Sequence, residues 1–406
     1  MASTTKHPVL SRRALNRATL DRQLLLRRAP LGVEDAVAHL LGLQAQNTKP
    51  PYYALAARLD GFRPEQLSDL MESRAVARIV TMRSTVHTHT AQDAVALRRL
   101  VQPGAIDREL AIFVARKGLD GVDLERLAAL SRELVEERPR TPKQLREELL
   151  KEWPHADPQS LSLAARCLLP LVQVTPRGLW GRGGQVALTT TDVWFGDAVP
   201  KVSEATKGRK AASKEAGSAE SAESAECAES VDRDAAVLRY LRAFGPASVK
   251  DMQTWCGLTR LGEAFERLRP RLLVFQDERG TELFDLPDAP RPDEDTPAPP
   301  RFLPEFDNLL LSHADRTRVV TPEIRSRTWQ GNRAFSVFLL DGLLAGLWHL
   351  DEAKDGATTL TVEPFAPVTR AQRAELAAEA ERTLRIMTPP GTSCDIVHQE
   401  PSEKPA

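Results

Sequence analysis

A segment near the middle of the chain cannot contribute to a hydrophobic core. Residues 199–230 contain the run KGRKAASKEAGSAESAESAECAES, a Ser-Ala-Glu triplet repeat without apolar periodicity. Because it has no face to bury, we interpret this segment as a disordered linker. It divides a chain of 406 residues, which is long for a single core. A second break follows at residues 288–300, where proline and acidic residues dominate and neither a helix nor a central strand could persist.

The same order of elements occurs on both sides of the linker: a helix, a capped second helix, a third helix and two strands. This order is typical of a winged helix. After the linker, Ala235 to Phe244 is an apolar-periodic helix, Ser248 and Thr259 are positioned to cap the next two helices, and LLVFQDERGTELFDL alternates around a glycine turn.

The copy before the linker follows the same pattern. Its helices are expected from Leu124 to Arg138, after Thr141 and from Ser160, and VQVTPRGLWGRGGQVALTT reads as its hairpin. A looser third copy is expected at the N-terminus, with VEDAVAHLLGL and PEQLSDLMES as helices and ARIVTMRSTVHTHT as strand and turn.

The pattern after the second break changes to strands around an Asp341-Gly342 turn, followed by a helix from Thr369 to Met387. The predicted fold class is mainly α with β (α+β), with two or three tandem winged-helix modules around a small C-terminal β-barrel-like domain. The predicted units are an N-terminal winged-helix-like domain (1–115), a winged helix (116–198), the linker (199–230), a second winged helix (231–288) and the barrel-like domain with its helix (301–390).

Composition narrows the class of protein. The longest apolar stretch, from Phe335 to Leu350, is interrupted by Asp341-Gly342, so no membrane span is expected. The N-terminus lacks the apolar centre of a secretory signal, and the four cysteines form no CxxC pair, which favours a reducing compartment without disulfide or zinc. We expect a cytoplasmic, nucleoid-associated monomer.

The net charge of −1 conceals an asymmetry, because residues 1–110 hold 14 Arg and 2 Lys against 10 Asp and Glu. Repeated winged helices usually bind DNA, with a helix in the major groove and the wing at phosphate or the minor groove, although some are protein–protein modules. Candidate contacts are Arg177 and Arg182 in the first wing and Arg260 and Arg267 on the second recognition helix. Each of these side chains could equally be solvated surface charge.

The sharpest motif is Gln44-Ala45-Gln46, which closes an apolar helix just before Lys49-Pro50-Pro51. Proline disfavours helix at the preceding residue, so the helix should end near Asn47. Residues two apart on a regular helix do not face one another, so the two amides would converge only in a fraying last turn. A simpler interpretation is that they satisfy terminal carbonyls.

Four blocks of sequence resemble, in order, those of the winged-helix DNA glycosylase family whose members include the azinomycin-resistance enzyme (AlkZ-like). They are LGLQAQNTKPPYYAL, RSTVHTH, LPEFDNLLLSHADRTRVV and FLLDGLLAGLWHL. Relatives carry Gln-x-Gln or Gln-x-Asp, and Gln44-Ala45-Gln46 resembles the first subgroup, which is associated with self-resistance in antibiotic producers. The resemblance implies activity on bulky N7-alkylguanine adducts and interstrand crosslinks. Arg83-Ser84-Thr85-Val86-His87 departs from a more usual Arg-Gly-Thr-Leu-His.

The resemblance makes Gln44 and Gln46 the candidate catalytic residues. A guanine alkylated at N7 is a cationic leaving group that needs no strong acid, so two amides could hold a water near the anomeric carbon and stabilise the oxocarbenium-like sugar. We therefore expect a monofunctional DNA glycosylase without a cofactor. Lys49 is interpreted as a phosphate contact, although its position also leaves a lyase step open.

Strand alternation places His87 and His89 on one face, but no third metal ligand lies nearby in sequence. We expect no metal site, and we expect His87 and Arg83 to contact the DNA backbone. Asp307, in the FDN block, is expected to cap a helix or turn. Two other functions remain open: a non-catalytic winged-helix DNA-binding regulator, and a protein that sequesters the genotoxin itself. The expected partner is double-stranded DNA that carries alkylated bases.

Overall fold

The computed structural model describes residues 7–116, 118–199, 219–331, 333–353 and 356–401. Its α-helices are α1 (Arg12–Arg22), α2 (Val33–His39), α3 (Pro50–Arg58), α4 (Pro64–Glu72), α5 (Ala91–Val101), α6 (Asp107–Ala115), α7 (Leu124–Glu137), α8 (Pro142–Glu152), α9 (Pro158–Leu168), α10 (Thr191–Phe195), α11 (Ala219–Phe244), α12 (Val249–Cys256), α13 (Gly262–Leu268), α14 (Asn308–Leu311), α15 (Pro322–Arg325) and α16 (Arg370–Met387).

The strands are β1 (Val9–Leu10), β2 (Leu43–Gln44), β3 (Val76–Val80), β4 (Val86–Thr90), β5 (Leu171–Gln173), β6 (Leu188–Thr190), β7 (Leu273–Asp277), β8 (Glu282–Asp285), β9 (Arg301–Leu303), β10 (Trp329–Gln330), β11 (Arg333–Ala334), β12 (Val337–Leu340), β13 (Leu343–Glu352), β14 (Thr358–Pro364) and β15 (Cys394–His398). Helices and strands coexist throughout, so the predicted α+β class is confirmed. Among the described helices, none is long and apolar enough to cross a membrane.

Strands from the predicted N-terminal domain and from the first predicted winged helix form one sheet. Its order is β2-β4-β3-β5-β6, and β3 joins β5 with Ile79 opposite Val172. The boundary expected between residues 115 and 116 therefore separates strands that share this sheet. The order leaves β2, which carries Gln44, at one edge.

Local capping places most helices of the two predicted winged helices where the sequence indicates. Thr141 and Ser248 each form a capping box at the start of α8 and α12, in which side chain and backbone satisfy one another's hydrogen bonds. The third helix of the second copy differs from expectation. It begins at Gly262 and not after Thr259, because Arg260 adopts a left-handed φ of 59° that interrupts the helix.

The second predicted hairpin is present as β7 and β8, which pair antiparallel. β1 adds a third, parallel strand beside β7. The described strands of each predicted winged helix lie in a sheet that also includes strands from outside that module. The boundaries of the two winged-helix domains stay predictions.

The predicted linker lies partly outside the described residues, which resume at Ala219. From there the chain is helical through Phe244, so the predicted helix from Ala235 to Phe244 is present but begins earlier than expected, and the described end of the predicted linker is helical. The physical reason is helix propensity: alanine and glutamate are strong helix formers, and the Ala/Glu-rich end of the repeat leads directly into the apolar-periodic segment.

The C-terminal strands form a sheet in the order β15-β14-β13-β12-β9, with the expected turn at Asp341 and Gly342 between β12 and β13. Among the described strands this sheet is open and does not close into the expected barrel. One face packs with α3 and α16 in a shared core that includes Tyr52, Phe302 and Leu376. Burial of these apolar side chains therefore holds the C-terminal sheet against α3 from the N-terminal part of the chain.

Candidate active site

Gln44 lies on an edge strand and not at the end of a helix, so the predicted helical setting of the Gln-x-Gln motif was wrong. α2 ends at His39, and the chain then turns through Leu41 and Gly42, both with left-handed φ angles (56° and 88°). β2 follows and pairs antiparallel with β4, with Gln44 opposite His87. Strand pairing thus replaces the last helical turn that sequence reasoning assumed.

Gly42 is required where this turn passes β4. A Cβ atom at position 42 would lie 2.2 Å from the His89 Nδ1 atom and 2.9 Å from the Thr88 carbonyl oxygen. The turn is also held from the C-terminal half, because the side chain of Asn308 donates hydrogen bonds to the carbonyls of Leu40 (3.1 Å) and Gly42 (2.8 Å). The start of β2 is therefore fixed before the chain reaches Gln44.

The Gln44 amide is buried and oriented by Arg83. Its Oε1 accepts a hydrogen bond from an Arg83 terminal nitrogen at 2.8 Å, and the residue is 7% exposed. Because a guanidinium can only donate, the amide oxygen faces Arg83, and the amide NH2 group faces away from it.

Gln46 is exposed, and its amide is also oriented. Its Oε1 accepts a hydrogen bond from the Val86 backbone N–H at 3.0 Å. Since a backbone N–H is only a donor, the oxygen again faces the protein. Each oxygen keeps a second lone pair, so both amides retain an acceptor site together with two N–H donors.

Arg83 sits in a tight 3-10 turn, Met82–Ser84, between β3 and β4. Arg83 and Ser84 both have left-handed φ angles, 53° and 57°, and this region favours glycine. Ser84 therefore adopts a backbone conformation that a glycine would adopt at lower cost. The half-buried Arg83 also donates to the carbonyl of Trp255 on α12, and burial lowers the pKa of its guanidinium to about 10.

His87 supports Arg83 and does not reach the surface. It is 1% exposed, its Nδ1 lies 2.9 Å from the Thr85 carbonyl, and its Nε2 lies 3.4 Å from an Arg83 terminal nitrogen. Nδ1 therefore carries the proton and donates to Thr85, while Nε2 accepts from Arg83. Burial holds the pKa of His87 well below its usual value, so the predicted direct contact of His87 with DNA phosphate does not fit this arrangement.

The two histidine rings stack with centroids 5.6 Å apart, so the expectation that they share one face is confirmed. His89 Nε2 lies 2.9 Å from the hydroxyl oxygen of Thr81. In the described part of the chain, no three His, Cys, Asp or Glu side chains are grouped as metal ligands would be.

The remaining predicted DNA contacts differ in exposure and in their local partners. Lys49 is exposed at the start of α3, Arg182 is exposed in the β5–β6 connection, and Arg260 is exposed before α13. Arg177 is half-buried and donates to the Gly184 carbonyl at 2.9 Å. Arg267 is already engaged by Asp234 of α11 at 2.7 Å, so its guanidinium is not presented as the free cation that the sequence suggested.

Comparison with protein families decides the family to which the chain belongs. A model of the family described as "DNA glycosylase AlkZ-like" matches residues 37–386. The matched region includes Gln44, Gln46 and the strands that hold them. The chain belongs to the AlkZ-like DNA glycosylase family.

A solved relative shares the fold of this family member. The structure of Streptomyces sahachiroi DNA glycosylase AlkZ is similar with a TM-score of 0.74 over 96% of this chain and 100% of that chain, at 19% sequence identity. A search of curated protein sequences found no match. The family resemblance expected from the four sequence blocks is confirmed, and the family implies DNA as the substrate.

Sequence reasoning missed a buried ion pair next to the residue that holds the turn before β2. Asp307 caps α14 as expected, accepting from the Leu309 N–H at 2.9 Å. It also accepts two hydrogen bonds from Arg58 of α3, at 2.7 and 2.8 Å, and both side chains are fully buried. Asn308, which holds the turn before β2, is the next residue, so the FDN block positions the glutamine strand.

Three buried histidines predict a stability that depends on pH. His87, His89 and His313 are at most 2% exposed. Burial lowers the pKa of each of them, to about 4 for His89 and about 3 for His313. An unfolded histidine has a pKa of about 6.5, so below this pH the unfolded chain binds protons that the folded chain does not. The free energy of unfolding is therefore unaffected by these histidines above pH 6.5. It decreases as the pH falls from 6.5 towards 4, by about 1.4 kcal/mol per pH unit for each histidine.

Urea unfolding at pH 7.5, 6.0 and 5.0 measures this effect. The variant His89→Gln removes one titrating group, so its slope should be smaller by one histidine's share. A free energy of unfolding that stays constant between pH 7.5 and 5.0 would contradict the assignment of three neutral histidines.

Proposed function

We propose that the protein hydrolyses the N-glycosidic bond of bulky N7-alkylguanine adducts in double-stranded DNA, with Gln44 and Gln46 as its catalytic residues. The observation that carries the proposal is that the amides of Gln44 and Gln46, with one residue between them, are both oriented by the protein. Arg83 fixes one and Val86 fixes the other. Membership of a DNA glycosylase family supplies the reaction class.

The chemistry suits neutral amides. Alkylation at N7 places a positive charge on guanine, so the electron pair of the C1′–N9 bond neutralises the base as it leaves. A water molecule then forms the new C1′–O bond and releases a proton to solvent. An amide can accept a hydrogen bond from this water through its oxygen and donate one through its nitrogen, which holds the water in place without ionising. The second lone pair that each amide oxygen retains supplies the partial negative charge that would stabilise the positive charge developing on the sugar.

We propose a monofunctional reaction that leaves an abasic site, in a monomeric, cytoplasmic and nucleoid-associated protein that protects its producer from a DNA-alkylating natural product. Incubation with a duplex that contains one N7-alkylguanine, followed by chromatography of the released base and gel analysis of the strand, tests the proposal. Free base with an intact strand that breaks only in alkali is expected. Binding without release would indicate a regulator, and direct strand cleavage would indicate a lyase step at Lys49.

Binding to undamaged duplex should depend steeply on salt. Lys49, Arg177, Arg182 and Arg260 are the candidate phosphate contacts, and each contact contributes about −0.9 to the slope of log affinity against log salt, so four give about −3.6. Fluorescence anisotropy between 50 and 300 mM salt measures the slope. Arg182→Ala should reduce its magnitude by about 0.9, whereas Arg373→Ala, on α16, should leave it unchanged. A slope near zero would remove these cations from the DNA interface.

A further inference from the structure

The main-chain carbonyl of Ala45, between the two glutamines, does not take part in the sheet. The Ala45 N–H donates to the Val86 carbonyl at 2.8 Å. In a closely spaced antiparallel pair, the N–H of Val86 would return a bond to the Ala45 carbonyl. It donates instead to the side-chain oxygen of Gln46. The side chain of Gln46 thus occupies the position of a main-chain partner.

The Ala45 carbonyl is taken by Arg78. A terminal nitrogen of this β3 residue donates to it at 2.6 Å. Arg78 is 2% exposed, and its Nε and other terminal nitrogen make no hydrogen bond within the described part of the chain. Burial and the nearby charge of Arg177 lower the pKa of the Arg78 guanidinium to about 10.

Burying a guanidinium without a carboxylate partner lowers the stability of the fold. A buried charge is ordinarily compensated by a carboxylate, and the charged neighbour that acts most strongly on Arg78 is another cation, Arg177. Stability is commonly sacrificed in this way where a functional site needs a fixed geometry. Within the described part of the chain, the one hydrogen bond that the Arg78 side chain makes is to the residue between the two glutamines.

We propose that Arg78 is a positioning residue for the glutamine pair. It holds the Ala45 carbonyl out of the strand ladder, which leaves the Val86 N–H free to orient the amide of Gln46. The inference rests on the proposed catalytic function of Gln46. Arg78 itself contacts neither DNA nor water in this mechanism, because it is buried beneath the segment that does.

The variant Arg78→Met tests the proposal. Without the guanidinium, the Ala45 carbonyl can accept from the Val86 N–H, and Gln46 loses its fixed orientation. Single-turnover base release should fall about 10- to 100-fold, the range found for residues that orient metal ligands from the outer shell, while the dissociation constant for duplex stays within about twofold. The melting temperature should stay the same or rise, because an uncompensated buried charge is removed. Arg78→Lys, which keeps a donor, should restore part of the rate.

Arg98→Met is the matched control. Arg98 is equally buried, and burial also lowers its pKa to about 10. It donates to the carbonyls of Cys167 (3.0 Å) and Leu169 (3.3 Å), away from the glutamines. Its removal leaves these buried carbonyls without a hydrogen-bond donor, so the melting temperature should fall. The folded variant should release base at the wild-type rate.

A readout independent of catalysis separates this inference from the proposed function. In TROSY spectra with ¹⁵N-labelled glutamine and valine, Arg78→Met should shift the Gln46 side-chain amide and the Val86 backbone amide, whether or not the protein releases a base. Unchanged shifts, a wild-type rate or a lowered melting temperature for Arg78→Met would each overturn the positioning role. If the wild-type protein releases no base but the shifts change as expected, the proposed function is wrong, whereas Arg78 still positions the amide of Gln46.

Discussion

Replacing Gln44 or Gln46 with alanine is expected to slow base release 10²- to 10⁴-fold, the range for a lost positioning or proton-handling group. Affinity for the N7-alkylated duplex should survive, because phosphate contacts supply most of the binding. For a small N7-alkyl group the loss should lie near the lower end. Such a base leaves readily without help, so less barrier remains for the enzyme to lower.

The two variants should differ in their structural effects. Gln44 is buried against Arg83, so its removal also loosens the guanidinium, whereas Gln46 is exposed and its removal frees only the Val86 N–H. Single-turnover kinetics with circular dichroism and thermal melting make the comparison. Gln372→Ala, which removes an amide from the capping box of α16, is the control and should keep the wild-type rate. Equal rates for all three variants would assign the motif glutamines to a purely structural role.

Replacing Asp307 with alanine is expected to lower the free energy of unfolding by about 3–5 kcal/mol, the cost of leaving a buried charge without its partner. Arg58 would remain fully buried without a carboxylate, and α14 would lose its N-cap. Since Asn308 holds Gly42, the loss should also loosen the turn before β2. Urea unfolding at pH 7.5 gives the free energy.

Glu152→Gln is the matched control for the buried pair. Arg126 and Glu152 also form two hydrogen bonds, at 2.9 and 3.0 Å, but their side chains are 50% and 37% exposed. An exposed pair contributes about 0–1 kcal/mol, so this variant should change stability little. Similar losses in the two variants would show that burial does not set the importance of the Arg58–Asp307 pair.

Helix caps were predictable because their chemistry is local. Thr141, Ser248 and Thr369 each bond within three residues of themselves, and a sequence displays such partners directly. The alternation that places His87 and His89 together is local in the same sense.

The setting of Gln44 was not predictable from local pattern. The segment from Ala36 to Leu43 has helical spacing, but Gly42 turns the chain so that Leu43 and Gln44 can pair with β4, more than forty residues later. Tertiary pairing overrode helix propensity, which is a weak determinant over so few residues. The proline-based boundary near Asn47 was therefore placed on the wrong kind of element.

Partners distant in sequence account for the other differences. Arg58 and Asp307 are 249 positions apart, and Arg83 is 172 positions from Trp255. Arg267 seemed free because nothing near it in the predicted recognition helix indicated that Asp234 would face it. Residue type alone could not decide which arginines stay available for DNA.

Base release by the folded double variant Gln44→Ala/Gln46→Ala tests the central claim most directly. The substrate is a duplex with one bulky N7-alkylguanine, and the single-turnover rate is compared with those of the wild type and both single variants. Because the two amides would act on one water, the double variant should be slowed about as much as the worse single variant and clearly less than the product of the two effects. Wild-type base release by the folded double variant would contradict the assignment of catalysis to this motif.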